Sequence, residues 1–600
     1  MSGPPTPTAS TGERALLAVG FLALTGALAG AHGSPATGYE RSLYAATPVA
    51  VWALLAAALG LSLVVALVTR SRVTRRFALV LGGGATLAVV ALPVLRGYWF
   101  LSGGDGHTHL GWARGIAAGA YHPADLRYPG LHTSTIFVGR TLGIDLAHAM
   151  LLVIVALCAI FFCFVTLTTS LFFESRYSAV FGAFSAFCLL PITTLSTFLS
   201  PHAMSQAILF STAVVFVLFA YARRGAVGSS GRTYWLLAAL LLVALVLYHP
   251  QHAAHVLVVL GTTCALQWVA RRYERPPTIA SHAPLYGLTL VLVAAFLVWS
   301  ANHELIQSVV QFHVESTIEF LLGANDAAGD SVGAQADSLS AVGGSLALVV
   351  LKLLGPNVVF GLLSGLLILG TLLGVALRRR HQTRATIAYL TAGLAGLSVL
   401  FFLYFFGSSG MMYFRVFGFM MLFITVLGAL ALAASMESIS VAPARGVAHV
   451  AVSVAFAVLL AASLAGVFAS PYIYSPTAHV TEQSMTAHAN AFDAADEDVG
   501  FVGIRSGPNR YADAYYAPLD RTSGYRGVSG EEIESGFADL ESDRYLVVRD
   551  ADYEREVEVY RELRYTAAQL ESIPTQPGVD RIQSSGEVTV YYLSGGAPEA

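Results

Sequence analysis

Apolar segments long enough to cross a lipid bilayer recur down most of this chain, and nothing else constrains its fold as tightly. A helical span takes roughly 17 to 25 apolar residues. Segments near that length centre on residues 15–31, 46–69, 77–95, 147–171, 178–198, 203–221, 234–248, 253–270, 284–301, 356–377, 385–406, 413–436 and 446–469. Unpaired peptide groups are costly in hydrocarbon, so a run of such segments predicts a bundle of transmembrane helices. With 55% hydrophobic and 12% charged residues over 600 positions, the composition agrees and excludes an ordinary soluble enzyme. The stretch 341–354 is apolar but short, and reads as a re-entrant or interfacial helix leading into Pro356. Residues 15–31, followed by small residues, also fit a cleaved signal peptide; Glu13 beside Arg14 makes a weak leading flank, and we read a retained helix.

Orientation follows from the basic residues, which collect in cytoplasmic loops. Thirteen spans put Arg70, Arg72, Arg75 and Arg76, Arg223, Arg224 and Arg232, Arg271, Arg272 and Arg275, and Arg378, Arg379, Arg380 and Arg384 all on one side. The N-terminus is therefore expected in the cytoplasm and the C-terminus outside. Most acidic residues and many histidines of the span region fall at or near the outer face. That concentrates the polar chemistry there.

Charge divides the chain in two. Residues 470–600 carry 23 acids and 10 bases, whereas the preceding part carries 14 acids and 24 bases. The expected domains are a transmembrane domain over 1–469, with outward loops 96–146 and 302–342, and a small acidic α/β domain over 470–600. Within the latter, "RYLVVRD" and "EVTVYYL" read as strands and "YRELRYTAAQLESI" as a helix. Lys352 is the sole lysine. An acidic soluble part with arginine alone suits a halophilic archaeon; a high-GC genome with an ordinary acidic domain is the alternative. All four cysteines lie inside expected spans, where core packing is their role. No Walker loop, dinucleotide fingerprint, HExxH motif or internal repeat is present, so ATP-driven transport is unsupported, and no nucleic-acid partner is expected.

The loop 96–146 opens on "GGDGHTHLGW", Gly103 to Trp112. Beyond Asp105, His109, Trp112, Ile116 and Ala120 recur at helical spacing, which predicts an amphipathic helix on the membrane surface with Trp112 as interfacial anchor. Asp105 then stands at its N-cap, and a capping role competes with a chemical one. His107, His109, Asp125, Arg127 and Tyr128 share the loop. A carboxylate here can act as a base toward an alcohol, and a neighbouring arginine or histidine can stabilise a developing phosphate charge.

This arrangement resembles the GT-C superfamily of integral-membrane glycosyltransferases, over the topology of the whole chain and locally in "GGDGHTHLGWARGI" with "YPGLH". The resemblance implies transfer of a sugar from a polyprenyl phosphate or pyrophosphate to an acceptor at the outer face, with Asp105 as catalytic base or metal ligand. The catalytic subunits of oligosaccharyltransferases are similar in topology. Their Trp-Trp-Asp signature has no counterpart in 470–600, which contains no tryptophan, and this argues against whole-glycan transfer to asparagine. "STIEF" (Ser316–Phe320) resembles an acidic motif of that subgroup and nominates Glu319; one polar position of an amphipathic helix is the alternative.

Two further places complete the candidates. In "MMYFRVFGF", Arg415 enters a span from outside, where its fork can hold a donor phosphate or snorkel to headgroups. In "LYHPQHAAH", His249, His252 and His255 are spaced by three; zinc is one reading, but no nearby acid or cysteine completes a shell, and we favour histidines lining a polar cavity, with His249 and His252 as the candidates. We expect Asp105, with His107 and His109, to do the chemistry. Asp125, Arg127, Tyr128, His249, His252, Glu319 and Arg415 are expected to bind substrate. Transfer should invert, and a monophosphate donor requires no metal; Mg²⁺ or Mn²⁺ enters only if Asp105 converges with Asp125 or Glu319. The expected partners are a polyprenyl-phosphate sugar donor, a glycan or glycoprotein acceptor and the bilayer. A lipid-linked sugar flippase or another polytopic transporter is the rival reading.

Overall fold

The computed structural model describes residues 10–224, 229–321, 339–341, 343–407, 412–537, 540 and 542–595. Among them, 11 helices are long and apolar enough to cross a membrane, from Thr11–His32 to Ala442–Ala465. Two shorter apolar helices, Ser178–Phe187 and Tyr286–Ala301, stand where the remaining spans were expected. The chain is a multi-pass, mostly helical membrane protein. Local signals set several boundaries. Ser10 and Glu13 form a capping box before Thr11, and Ser71 and Asp145 cap the helices Arg72–Val90 and Leu146–Phe172.

Two span-level expectations need correction. The stretches 341–354 and 356–377 are not separate elements, because one helix, Leu346–Leu372, runs straight through Pro356. The proline is buried, and the next residue, Asn357, reaches across to donate to the Leu190 carbonyl at 2.7 Å. The segment 178–198 is helical only to Phe187, after which Leu189 and Thr194 adopt positive φ. Irregular backbone at membrane depth survives where protein covers it. Here side chains and backbone satisfy one another: Phe198 N donates to Ser205 Oγ and Gln206 Nε2 to the Ser200 carbonyl, at 2.9 and 3.2 Å. This packed, non-helical run delivers His202 to the site described below.

The C-terminal part holds a five-stranded sheet whose strands lie in the order Arg526–Val528, Gly500–Ile504, Arg544–Arg549, Val588–Leu593 and Val579–Ser584. β3 (Gly500–Ile504), β4 (Arg526–Val528) and β5 (Arg544–Arg549) run parallel, while β6 (Val579–Ser584) and β7 (Val588–Leu593) add antiparallel. The two stretches expected as strands are β5 and β7, paired along their whole length. The helix expected over "YRELRYTAAQLESI" shrinks to Ala567–Ser572, because Arg561 and Glu562 take left-handed conformations and Thr566 caps a new start.

The sheet is fastened to the membrane part through its loops. β1 (Phe100–Leu101) pairs with β2 (His479–Val480). Beside it Arg96, 3% exposed, is held by both oxygens of Glu40 at 2.6 Å, and Tyr98 stacks on His479 at 3.7 Å. The helix Gly106–Ala118 is covered by protein along most of its length. It is sandwiched under the C-terminal helix Asn509–Tyr516, and Trp112, only 4% exposed, donates from Nε1 to the carbonyls of Pro518 and Leu519 at 3.1 Å. Trp112 anchors one part of the protein to the other, not to lipid headgroups.

Candidate active site

Asp105 sits where the chain turns into the helix Gly106–Ala118. Gly104, at φ +60°, makes the turn that glycine accommodates most readily. The sequence left a capping role open, but the Asp105 side chain caps nothing. It points away from its own helix, with Oδ2 2.8 Å from Arg521 Nη1 and Oδ1 3.6 Å from Arg510 Nε. Both arginines come from the C-terminal part.

A cavity of about 1080 Å³ opens beside this carboxylate. Its polar lining includes Asp105, His109, Arg127, Tyr128, His202, His249, Arg415 and Arg521. Its apolar lining includes Phe296, Leu305, Val309, Ile318 and Leu400, from helices of the membrane part. Arg415 is steadied by Gln251, whose Oε1 accepts from Nη1 at 2.7 Å, and Tyr128 stacks on His249 with ring centres 5.1 Å apart. Arg521 also lies 3.4 Å from the Tyr128 hydroxyl and over the Trp112 ring. The polar lining thus gathers more arginine than carboxylate, which favours an anion, and the apolar lining suits a hydrocarbon chain.

Of the residues nominated from sequence, Asp105, His109, Arg127, Tyr128, His249 and Arg415 meet in this cavity. His109 is buried, and its Nδ1 is 3.1 Å from His132 Nε2. Burial, and then the neighbouring His132, His202 and Arg521, hold its ring well below the usual histidine range. His109 is therefore neutral at pH 7 and can offer a hydrogen bond but not a positive charge.

Three nominations fall elsewhere. His107 turns to the opposite side of its helix, 4.4 Å from the Tyr511 ring, and lines a smaller cavity of about 180 Å³ against the C-terminal part. Asp125 accepts from His122 N at 2.7 Å as the cap of a short turn, and lies outside the large cavity. His252 is buried behind the wall, 4.6 Å from the Phe419 ring. Glu319 belongs to the helix Glu304–Leu321, and its side chain lies outside the described residues. Helical spacing puts His107 and His109, two positions apart, on different sides of the helix, but does not say which side meets the cavity.

Sequence reasoning missed His202, Gln251, Arg510 and Arg521. The two arginines lie in an acidic segment with no motif, and only the packing of the helix Asn509–Tyr516 on the helix Gly106–Ala118 brings them to Asp105. Among the described residues, no group of three His, Cys, Asp or Glu side chains is placed to hold a metal ion. Around Asp105 the donor set fits Mg²⁺ or Mn²⁺ poorly, because its carboxylate faces two guanidinium groups and Asp125 does not reach it.

No protein-family model matches the chain, and no curated protein matches its sequence. Several solved structures are similar to it in overall shape. One is ArnT from Cupriavidus metallidurans bound to undecaprenyl phosphate, at 11% identity over 87% of this chain and 98% of that one, with a TM-score of 0.45. Another is the oligosaccharyltransferase of Archaeoglobus fulgidus in its apo form, at 11% identity over 86% and 74%, with a TM-score of 0.47. A third is AglB, the archaeal oligosaccharyltransferase from Archaeoglobus fulgidus, in complex with an inhibitory peptide and a dolichol-phosphate, at 11% identity over 79% and 70%, with a TM-score of 0.45.

Proposed function

We propose that this chain is a GT-C-type membrane glycosyltransferase that moves a sugar from a polyprenyl phosphate, such as a dolichyl phosphate, to an acceptor hydroxyl at the outer face of the cell membrane. In this reading the N-terminus is cytoplasmic, the C-terminal domain is outside, and the acceptor is a surface glycan or glycoprotein. One observation carries the proposal. A carboxylate freed from capping, a half-buried arginine and a stretch of apolar lining share a single cavity.

The chemistry is a single displacement. The prenyl chain lies along the apolar lining and places its phosphate against Arg415, whose fork suits phosphate oxygens. The acceptor oxygen attacks the anomeric carbon while Asp105 takes its proton. The bond from that carbon to the phosphate oxygen breaks, and the lipid phosphate leaves with the electron pair, stabilised by Arg415 and by a hydrogen bond from neutral His109. One displacement inverts the anomeric centre. No step requires a metal.

A flippase would use the same apolar lining but has no need of a base. The distinguishing experiment reconstitutes the full chain in proteoliposomes with a dolichyl-phosphate hexose. Asp105→Asn should abolish sugar transfer and leave lipid translocation as in protein-free vesicles; translocation that depends on the protein and survives this change would support the transporter.

A further inference from the structure

The base of this site is held by a part of the chain far from it in sequence, and the connection is a closed circuit. Asp105 and Thr108 lie one turn apart on one side. Arg521 and Thr522 are adjacent on the other. Asp105 Oδ2 meets Arg521 Nη1 at 2.8 Å. Thr108 Oγ1 donates to Asp513 Oδ2 at 2.6 Å, and Asp513 Oδ1 accepts from Thr522 N at 2.7 Å. Asp513 is 1% exposed and also receives Arg510 Nη1 at 2.6 Å, which sets the guanidinium that flanks Asp105 Oδ1.

We infer that Arg521 is a positioning residue for the reaction proposed above, on whose reading this inference rests. It fixes one carboxylate oxygen of Asp105 so that the other is presented to the acceptor hydroxyl. A carboxylate on a single bond rotates freely unless an oxygen is pinned, and a planar guanidinium does this with more directional constraint than an ammonium. Asp513 acts one step further out, holding the strap that carries Arg521 in register with the helix that carries Asp105. The C-terminal part therefore completes the active site, and a span bundle without it lacks an oriented base.

The test uses the full chain in lipid nanodiscs, with a set of dolichyl-phosphate hexoses as donors and dolichyl phosphate alone as the binding probe. Misplacing a reacting group by about 1 Å costs about 100-fold in rate. Arg521→Gln should lower turnover at saturating donor by about that factor, with dolichyl phosphate affinity within about threefold of wild type. Arg521→Lys should recover about tenfold of the loss, since it restores the charge without the fork. Arg521 is about one-third exposed, so both variants should melt with the wild type; if the glutamine variant does not, the lysine variant carries the comparison. Unchanged turnover in both would overturn the inference. Weaker phosphate binding with normal saturated turnover would also overturn it, by making Arg521 a phosphate ligand. Full transfer by Asp105→Asn, or no transfer by wild type from any donor, would instead overturn the functional reading itself.

Discussion

Gly111 lies where a helix of the membrane part runs close against the backbone of the C-terminal part, and adding one methyl group there tests whether their docking builds the site. A Cβ at Gly111 would overlap the carbonyl oxygen of Asp513, stand 2.8 Å from its carbon and lie 3.3 Å from Ala514 Cα. All three atoms are backbone of the helix Asn509–Tyr516, so no side-chain rotation relieves the clash. Against this, alanine in a helix interior gains about 1 kcal/mol over glycine by propensity. Overpacking costs typically 1–3 kcal/mol, and more where backbone must move. The clash should win, so Gly111→Ala is expected to loosen the docked state by about 1–2 kcal/mol, about 5- to 30-fold in the docking equilibrium. Gly115 supplies the control on the same helix. Its added Cβ meets the half-buried ring of Tyr121, at 2.7 Å from Cε1, and that side chain can swing away. Limited proteolysis of the full chain in nanodiscs, with sugar transfer measured on the same samples, reads both changes. Gly111→Ala should expose the junction near residue 470 and reduce transfer, while Gly115→Ala should do neither. A Gly111→Ala protein as protected and as active as Gly115→Ala would refute the reasoning.

Other perturbations have defined outcomes. Arg415→Gln removes a charge-assisted contact to phosphate worth about 1.5–3 kcal/mol, so dolichyl phosphate should bind about 10- to 150-fold more weakly by native mass spectrometry. Glu40→Gln breaks the buried pair with Arg96 and leaves a cation uncompensated, which costs about 3–5 kcal/mol and should lower the midpoint of thermal unfolding clearly. Burial pushes the rings of His107, His132, His479 and His488 down to about 3, aided at His107 by His488 and Arg549 and at His479 by Arg96. The unfolded chain, near 6.5 for histidine, then binds more protons than the folded one in mild acid. Stability is full above about pH 6.5 and falls as pH drops toward 3, by about 1.4 kcal/mol per pH unit for each histidine. Denaturant unfolding between pH 7 and 4.5 should show that slope, reduced in His107→Gln; a flat profile would contradict it.

The helical membrane architecture was legible because hydrocarbon imposes length and apolarity on every span, and both can be counted. Irregular backbone escaped the count. The run after Phe187 is as apolar as a helix, and only its packing shows that it is not one. Half of the cavity was legible for a related reason: Asp105, Arg127, Tyr128 and Arg415 are polar residues beside apolar spans, which marks them as costly and worth explaining. Arg510 and Arg521 carry no such mark in a charged, soluble segment. Their role comes from a contact across about 400 positions of sequence, which a single chain read alone does not reveal.

The central claim is that a lipid-borne phosphate meets Asp105 and Arg415 in one cavity. A cryo-electron microscopy structure of the full chain with dolichyl phosphate tests it most directly. The account predicts phosphate density within hydrogen-bond reach of Arg415, with the prenyl chain running past Phe296 and Leu400. Lipid bound instead in the separate apolar groove beside Tyr44 and Trp52, with nothing against Arg415, would contradict it.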